Sequence, residues 1–148
     1  MRRRSCAISL PAAVAADANV LLSALIGGRA GLVLGSPRGP RCVAAEAVAD
    51  EIAEHLPELA SKRRLDLALL LATLQLMPVE WQPAASYEPF REEAVRRMAG
   101  RDPEDWPTVA VALTLSVPIW SKDRDFEASG MRIYTTGELL DALGEAGT

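Results

Sequence analysis

Short apolar runs alternate with longer helical segments along this chain, and that alternation restricts the fold more than any other feature. Ala12–Ala16, Arg41–Ala44, Val117–Trp120 and Met131–Tyr134 are each four or five residues long, the length of buried strands rather than helices. Between them the periodicity is helical. Ala18–Ile26 is stopped by Gly27-Gly28, and Ala45–Leu56 sets Val48, Ile52 and Leu56 on one face. Strands that alternate with helices pair in parallel, with helices on both faces of the sheet. The expected class is therefore α/β.

The rest of the chain is read in the same way. Gly31–Pro40 is a loop, Pro57 and Ser61 punctuate the chain, and Leu65–Leu76 is apolar enough to be a buried helix. Pro78–Pro89 reads as irregular, Phe90–Met98 as a charged helix closed by Gly100, and Gly137–Leu143 as a final helix. Trp106–Leu115 is apolar on nearly every turn, which predicts a buried helix. Residues 1–148 are expected to form one domain, with 1–10 as an N-terminal extension. The start Met1–Arg4 followed by Ser5–Ala16 has the outline of a short secretory signal. Cleavage there would remove the first strand, so an extended N-terminus leading into that strand is the preferred expectation.

Composition narrows function. A net charge of -4 argues against non-specific coating of nucleic acid, but a cluster of metal-binding acids would itself add negative charge. Aromatic residues make up only 5% of the chain, too few for a base-stacking platform. Cys6 and Cys42 follow no metal-ligand spacing and suit a reduced cytoplasm, and a single histidine, His55, leaves no Cys/His zinc set. The apolar stretch Leu65–Met77 is too short to span a bilayer. A cytoplasmic protein without a membrane segment is expected.

Acids recur where apolar segments meet. Asp17 follows the first strand, Asp123 and Asp125 follow the third, Asp102 and Asp105 open the buried helix, and Glu51 lies beside the apolar stripe of another. In open α/β folds ligands bind at the carboxyl edge of the sheet, the edge these positions share. Each acid also has a plainer reading: Asp17 and Asp102 as helix caps, Asp123 and Asp125 as loop acids, Glu51 as a solvated helix residue. Carboxylates gathered at one spot repel unless a cation neutralises them. Oxygen-only ligation selects Mg2+ or Mn2+ over zinc, and such a site can hydrolyse phosphodiesters.

These stations resemble the PIN domain, a small ribonuclease fold found in bacterial toxins of the VapC type and in RNA-processing nucleases. Asp17-Ala18-Asn19-Val20-Leu21-Leu22 is similar to the family's opening motif, and Val48-Ala49-Asp50-Glu51-Ile52 to the helix bearing its glutamate. Asp102-Pro103-Glu104-Asp105 before an alanine-rich helix matches the third motif. Trp120-Ser121-Lys122-Asp123-Arg124-Asp125-Phe126 matches the fourth, with Ser121 in place of the usual threonine. The resemblance implies a three-layer α/β/α fold around a short-stranded parallel sheet. It implies Asp17, Glu51, Asp105 and Asp123 as catalytic carboxylates holding Mg2+ or Mn2+, with Asp102 and Asp125 in support. Asn19 would position Asp17 by a side-chain hydrogen bond, and Ser121 would steady the fourth acid or touch phosphate.

The expected activity is that of a metal-dependent endoribonuclease acting on single-stranded or structured RNA. Arg38, Arg41, Lys122 and Arg124 are the candidate phosphate contacts near the same edge. By resemblance the chain would be a homodimer, and as the toxin of a toxin–antitoxin pair it would take an antitoxin segment in its acidic groove. Phe90–Met98 and Leu65–Leu76 are the candidate interface surfaces. Two rivals stand beside this reading. A catalytically silent PIN-like binding module would keep the fold without metal. A receiver-like phosphoacceptor domain would use Lys122, but needs paired acids after the first strand, where Asp17 has only Ala16 and Ala18 beside it.

Overall fold

The computed structural model describes residues 9–146. Five strands form one sheet: β1 (Ala13–Ala16), β2 (Arg41–Ala45), β3 (Glu80–Gln82), β4 (Ile119–Trp120) and β5 (Ile133–Tyr134). The order is β3-β2-β1-β4-β5, and every neighbouring pair is parallel. All carboxyl ends therefore lie on one edge. The first strand, β1, is central, with Val14 facing Cys42 on one side and Ala16 facing Trp120 on the other.

The helices are α1 (Ala18–Leu25), α2 (Ala30–Leu34), α3 (Glu46–Arg63), α4 (Leu67–Leu76), α5 (Ala84–Tyr87), α6 (Arg91–Arg97), α7 (Trp106–Leu115) and α8 (Thr136–Ala146). They complete a three-layer α/β/α arrangement. The α7 helix lies across β1 and β2 and packs on α6. It is buried continuously from Pro107 to Ala112, as a helix apolar on all sides must be. The small side chains of Ala13, Ala15 and Ala16 in the central strand let helices approach the sheet closely, and all three are buried.

Four expectations need correction. Pro57 does not end its helix, because α3 runs on to Arg63 with Pro57 inside it. Its ring faces solvent while Leu56 and Ala60 stay buried, so the strain falls on the outer side and packing on the inner side holds the helix. Arg64 in the left-handed region, φ 55°, ends it instead. The segment Pro78–Pro89 is not irregular, since it contains edge strand β3 and helix α5. Prolines are tolerated there because Pro78 and Pro83 flank the strand rather than sit in it, and Pro83 stands directly before α5. The α4 helix is not buried: Leu70 and Leu74 face inward, but Leu69 is 63% and Leu76 83% exposed. A peripheral helix buries one stripe only, and leucine on every side does not say which.

The fourth correction concerns Arg38 and Arg41. Arg41 opens β2 and Arg38 lies in the loop before it, so both stand at the amino edge of the sheet, away from Asp17. Arg41 forms a two-pronged ion pair with Glu80 of β3, at 2.8 Å from Nε and 2.7 Å from Nη2. That guanidinium is already committed to holding the sheet edge.

Cys42 is buried in β2, where burial pushes its thiol up to about 12 and makes it inert. Cys6 and residues 1–8 of the expected extension lie outside the described residues. Among the described residues, no helix is long and apolar enough to cross a membrane.

Candidate active site

Asp17 sits where β1 ends and α1 begins, and both readings of it hold at once. Its Oδ1 accepts a hydrogen bond from the Val20 amide at 2.9 Å, capping α1. Its Oδ2 accepts from the Ser121 hydroxyl at 2.5 Å, a short contact typical of a charge-assisted bond. Ser121 follows β4, the strand beside β1, and its backbone amide donates to the Tyr134 carbonyl of β5 at 3.0 Å. The Ser121 hydroxyl in turn accepts from the Asp123 amide at 2.9 Å, and Asp123 Oδ1 accepts from the Asp125 amide at 2.9 Å. One chain of hydrogen bonds thus runs from Asp17 through Ser121 to Asp123 and Asp125.

Asp105 reaches the same edge from the start of α7. Trp106 fixes that start, packed 5.7 Å from the Tyr87 ring and 5.0 Å from the Arg91 guanidinium. Asp102 caps the short turn before it, its Oδ1 accepting from the Glu104 amide at 3.1 Å. Glu51 projects from the second turn of α3. The four principal acids therefore come from β1, α3, α7 and the segment after β4.

Their electrostatics show mutual proximity. Burial, reinforced by the negative charges of Asp102, Asp17, Asp123 and Glu51, pushes the Asp105 carboxyl up to about 7. Burial also raises Asp17, 4% exposed; the bonds from Ser121 and Val20 oppose it, while Asp123 and Glu51 add to it. Glu51 keeps one side in solvent, yet its buried side raises it, as do the charges of Asp102, Glu104 and Glu54, against the opposing influence of His55. Such a set is short of positive charge. Its donors are the hard oxygens that suit Mg2+ or Mn2+. Among the described residues, no three acid, histidine or cysteine side chains are gathered tightly enough to cage a metal on their own. Mg2+ seldom asks for such a cage, since it commonly keeps several waters and takes one or two carboxylates. The donor set fits a hydrated divalent ion.

The other expected residues divide. Lys122 and Arg124 are exposed beside Asp123 on the carboxyl edge, with Arg124 3.7 Å from Glu127. Asp125 lies 3.8 Å from Arg101. Asn19 is exposed, and among the described residues it makes no hydrogen bond to Asp17, whose oxygens are taken by Val20 and Ser121. The positioning expected of Asn19 falls to Ser121. Two residues beside the acids were not assigned to the site from the sequence. Arg101 adds a cation beside the acids, and its place directly before Asp102 was the available signal. His55 lines a cleft of about 490 Å3 that opens at Glu51 and Asp105 and follows α3. Its spacing of one helical turn from Glu51 placed it on that face.

A family model for the PIN domain matches residues 15–144, from within β1 into α8. No curated protein matches the chain. The matched region contains the sheet, the acids at its carboxyl edge and the helices that present them. The chain belongs to the PIN-domain family, whose members are generally nucleases.

Proposed function

We propose that this protein is a metal-dependent endoribonuclease that hydrolyses phosphodiester bonds in single-stranded or structured RNA. The observation that supports this reading is the gathering of Asp17, Glu51, Asp105 and Asp123 at one sheet edge, where burial, reinforced by the neighbouring acids, raises Asp105 to about 7. These four would hold Mg2+ or Mn2+. When bound, the ion supplies an activated water and neutralises the phosphate.

The chain's own residues do the rest. Ser121 and the Val20 amide fix both Asp17 oxygens, so this carboxylate meets its ligand in one orientation. Asp125, tied through its amide to Asp123, is the acid placed to orient a water. Lys122, Arg124 and Arg101 are the cations of the same edge and would steady the RNA backbone on either side of the scissile bond. Exposed leucines on α4 support the homodimer as the working assembly. A toxin role with an antitoxin partner, and a cytoplasmic site of action, belong to the same proposal and would follow from an RNA target.

The experiment is RNA cleavage with Mg2+ or Mn2+, compared with chelator and with an Asp17→Ala, Asp105→Ala double variant. Cleavage is expected to need the metal and to vanish in the double variant. A double variant as fast as wild type would sink the proposal.

A further inference from the structure

The cleft along α3 contains a hydroxyl that the hydrolytic chemistry does not use. Among the described residues four polar or charged side chains are buried: Asp17, Thr108, Ser121 and Ser129. Asp17 and Ser121 bond to each other, and the Ser129 hydroxyl donates to the Phe126 carbonyl at 2.6 Å. Thr108, 4% exposed, has no side-chain hydrogen bond among the described residues and lines the cleft beside Asp105. A buried hydroxyl without a partner is unfavourable, so this position calls for a polar group from the cleft.

His55 stands at the other end. Its Nδ1 lies 2.8 Å from the Glu51 carbonyl oxygen. A carbonyl only accepts, so this contact places a hydrogen on Nδ1 and fixes the ring against the helix. The remaining polar walls are Asp50, Glu51, Glu54, Glu104 and Asp105, with no Lys, Arg, Asn or Gln among them. A cleft walled by acceptors favours an occupant that brings donors.

We infer that this cleft seats the nucleobase next to the scissile phosphate and selects guanine. The inference rests on the ribonuclease reading above and names what that site recognises. His55 lies one helical turn beyond Glu51, about 5.4 Å along α3, which leaves room for a ribose between phosphate and base. Single-stranded RNA is read by bases splayed into pockets, stacked on rings such as histidine and bonded along their edges. Guanine presents N1–H and N2–H side by side, a match for the two oxygens of Glu54, and its O6 or N7 can accept from Thr108. Adenine and cytosine set an acceptor beside their amine, and uracil offers one N–H between two carbonyls. A lone cationic side chain would also gain from the acids but brings donors only, whereas guanine brings donors for Glu54 and an acceptor for Thr108.

Two measurements on the full chain test this. In the first, wild type, Glu54→Gln, Thr108→Val and His55→Ala cleave a panel of RNAs differing at single positions. In the second, binding of GMP, AMP, CMP and UMP is titrated, with circular dichroism to verify folding. Wild type should cleave best beside guanine and bind GMP most tightly. Each of the Glu54 and Thr108 variants should lose about tenfold of the guanine preference while still cleaving beside other bases, and His55→Ala should weaken GMP about tenfold. Cleavage without base preference, or variants that keep the preference, would overturn the inference and leave the nuclease reading intact. An arginine-containing peptide that binds where GMP does not would assign the cleft to a protein partner and also overturn it. Wild type that cleaves no RNA would end both.

Discussion

Ser121 holds a carboxylate on one side and an amide on the other, and its hydroxyl is the joint between Asp17 and Asp123. Outer partners of ligating groups typically contribute 10–100-fold to affinity or activity. Ser121→Ala is accordingly expected to lower the cleavage rate about 10–100-fold without unfolding the protein, and Ser121→Thr to restore it. Initial rates and circular dichroism together check this. A fully active Ser121→Ala would remove the joint from the account. Asp105 makes a second claim testable without substrate. Its folded-state carboxyl is near 7 against a usual value of 3.8, so the folded state binds the extra proton. The associated stability is present below about 3.8 and is lost as pH rises through about 7. With chelator present, Asp105→Asn should melt at a higher temperature than wild type at pH 8. The difference should close towards pH 4. A gap that stays constant with pH would contradict the burial of Asp105 among other acids.

At the scale of elements, α3 tolerates a proline because its inner stripe continues across it. Leu56 and Ala60 flank Pro57 in the core while the ring points outward. A helix-interior proline is disfavoured by about 3 kcal/mol against alanine, partly offset by its stiffening of the unfolded chain. Pro57→Ala should therefore raise stability by about 1–3 kcal/mol, read as a higher Tm in thermal unfolding. A lower Tm would contradict this account of Pro57. The same helix shows where sequence reading stops. The apolar stripe of Val48, Ile52 and Leu56 was legible from spacing alone, and so was Glu51 beside it. Pro57 looked like a terminator because local propensity carries no information about what the far side of the helix buries. The β3 strand was hidden similarly between Pro78 and Pro83, since its strand character comes from pairing with Val43–Ala45. Arg41 was assigned to phosphate because a basic residue where a loop meets a strand looks free. Its partner Glu80 lies 39 residues away. Asp17, Asp105 and Asp123 were legible as a group because all mark boundaries at one edge, whereas the bond from Ser121 rather than Asn19 depended on strand order.

For the whole molecule, the acidic edge and the leucine-rich α4 face are separate surfaces with different demands. Leu69 and Leu76 expose apolar area that a monomer would leave in water. If this face joins two copies, Leu69→Glu with Leu76→Glu should halve the particle mass by light scattering and leave nucleotide binding in the cleft unchanged. A wild type that is monomeric at high concentration would remove the homodimer from the proposal.

The hydrogen bond from Ser121 to Asp17 spans 104 positions of the chain. During synthesis Asp17 and Glu51 emerge early, but β4 and Ser121 come late, and β1 cannot be the central strand until β4 is beside it. An unfinished or prematurely terminated chain thus carries acids without the strand that aligns them. In the proposed nuclease the order of translation would therefore delay the alignment of Asp17 until β4 has been made.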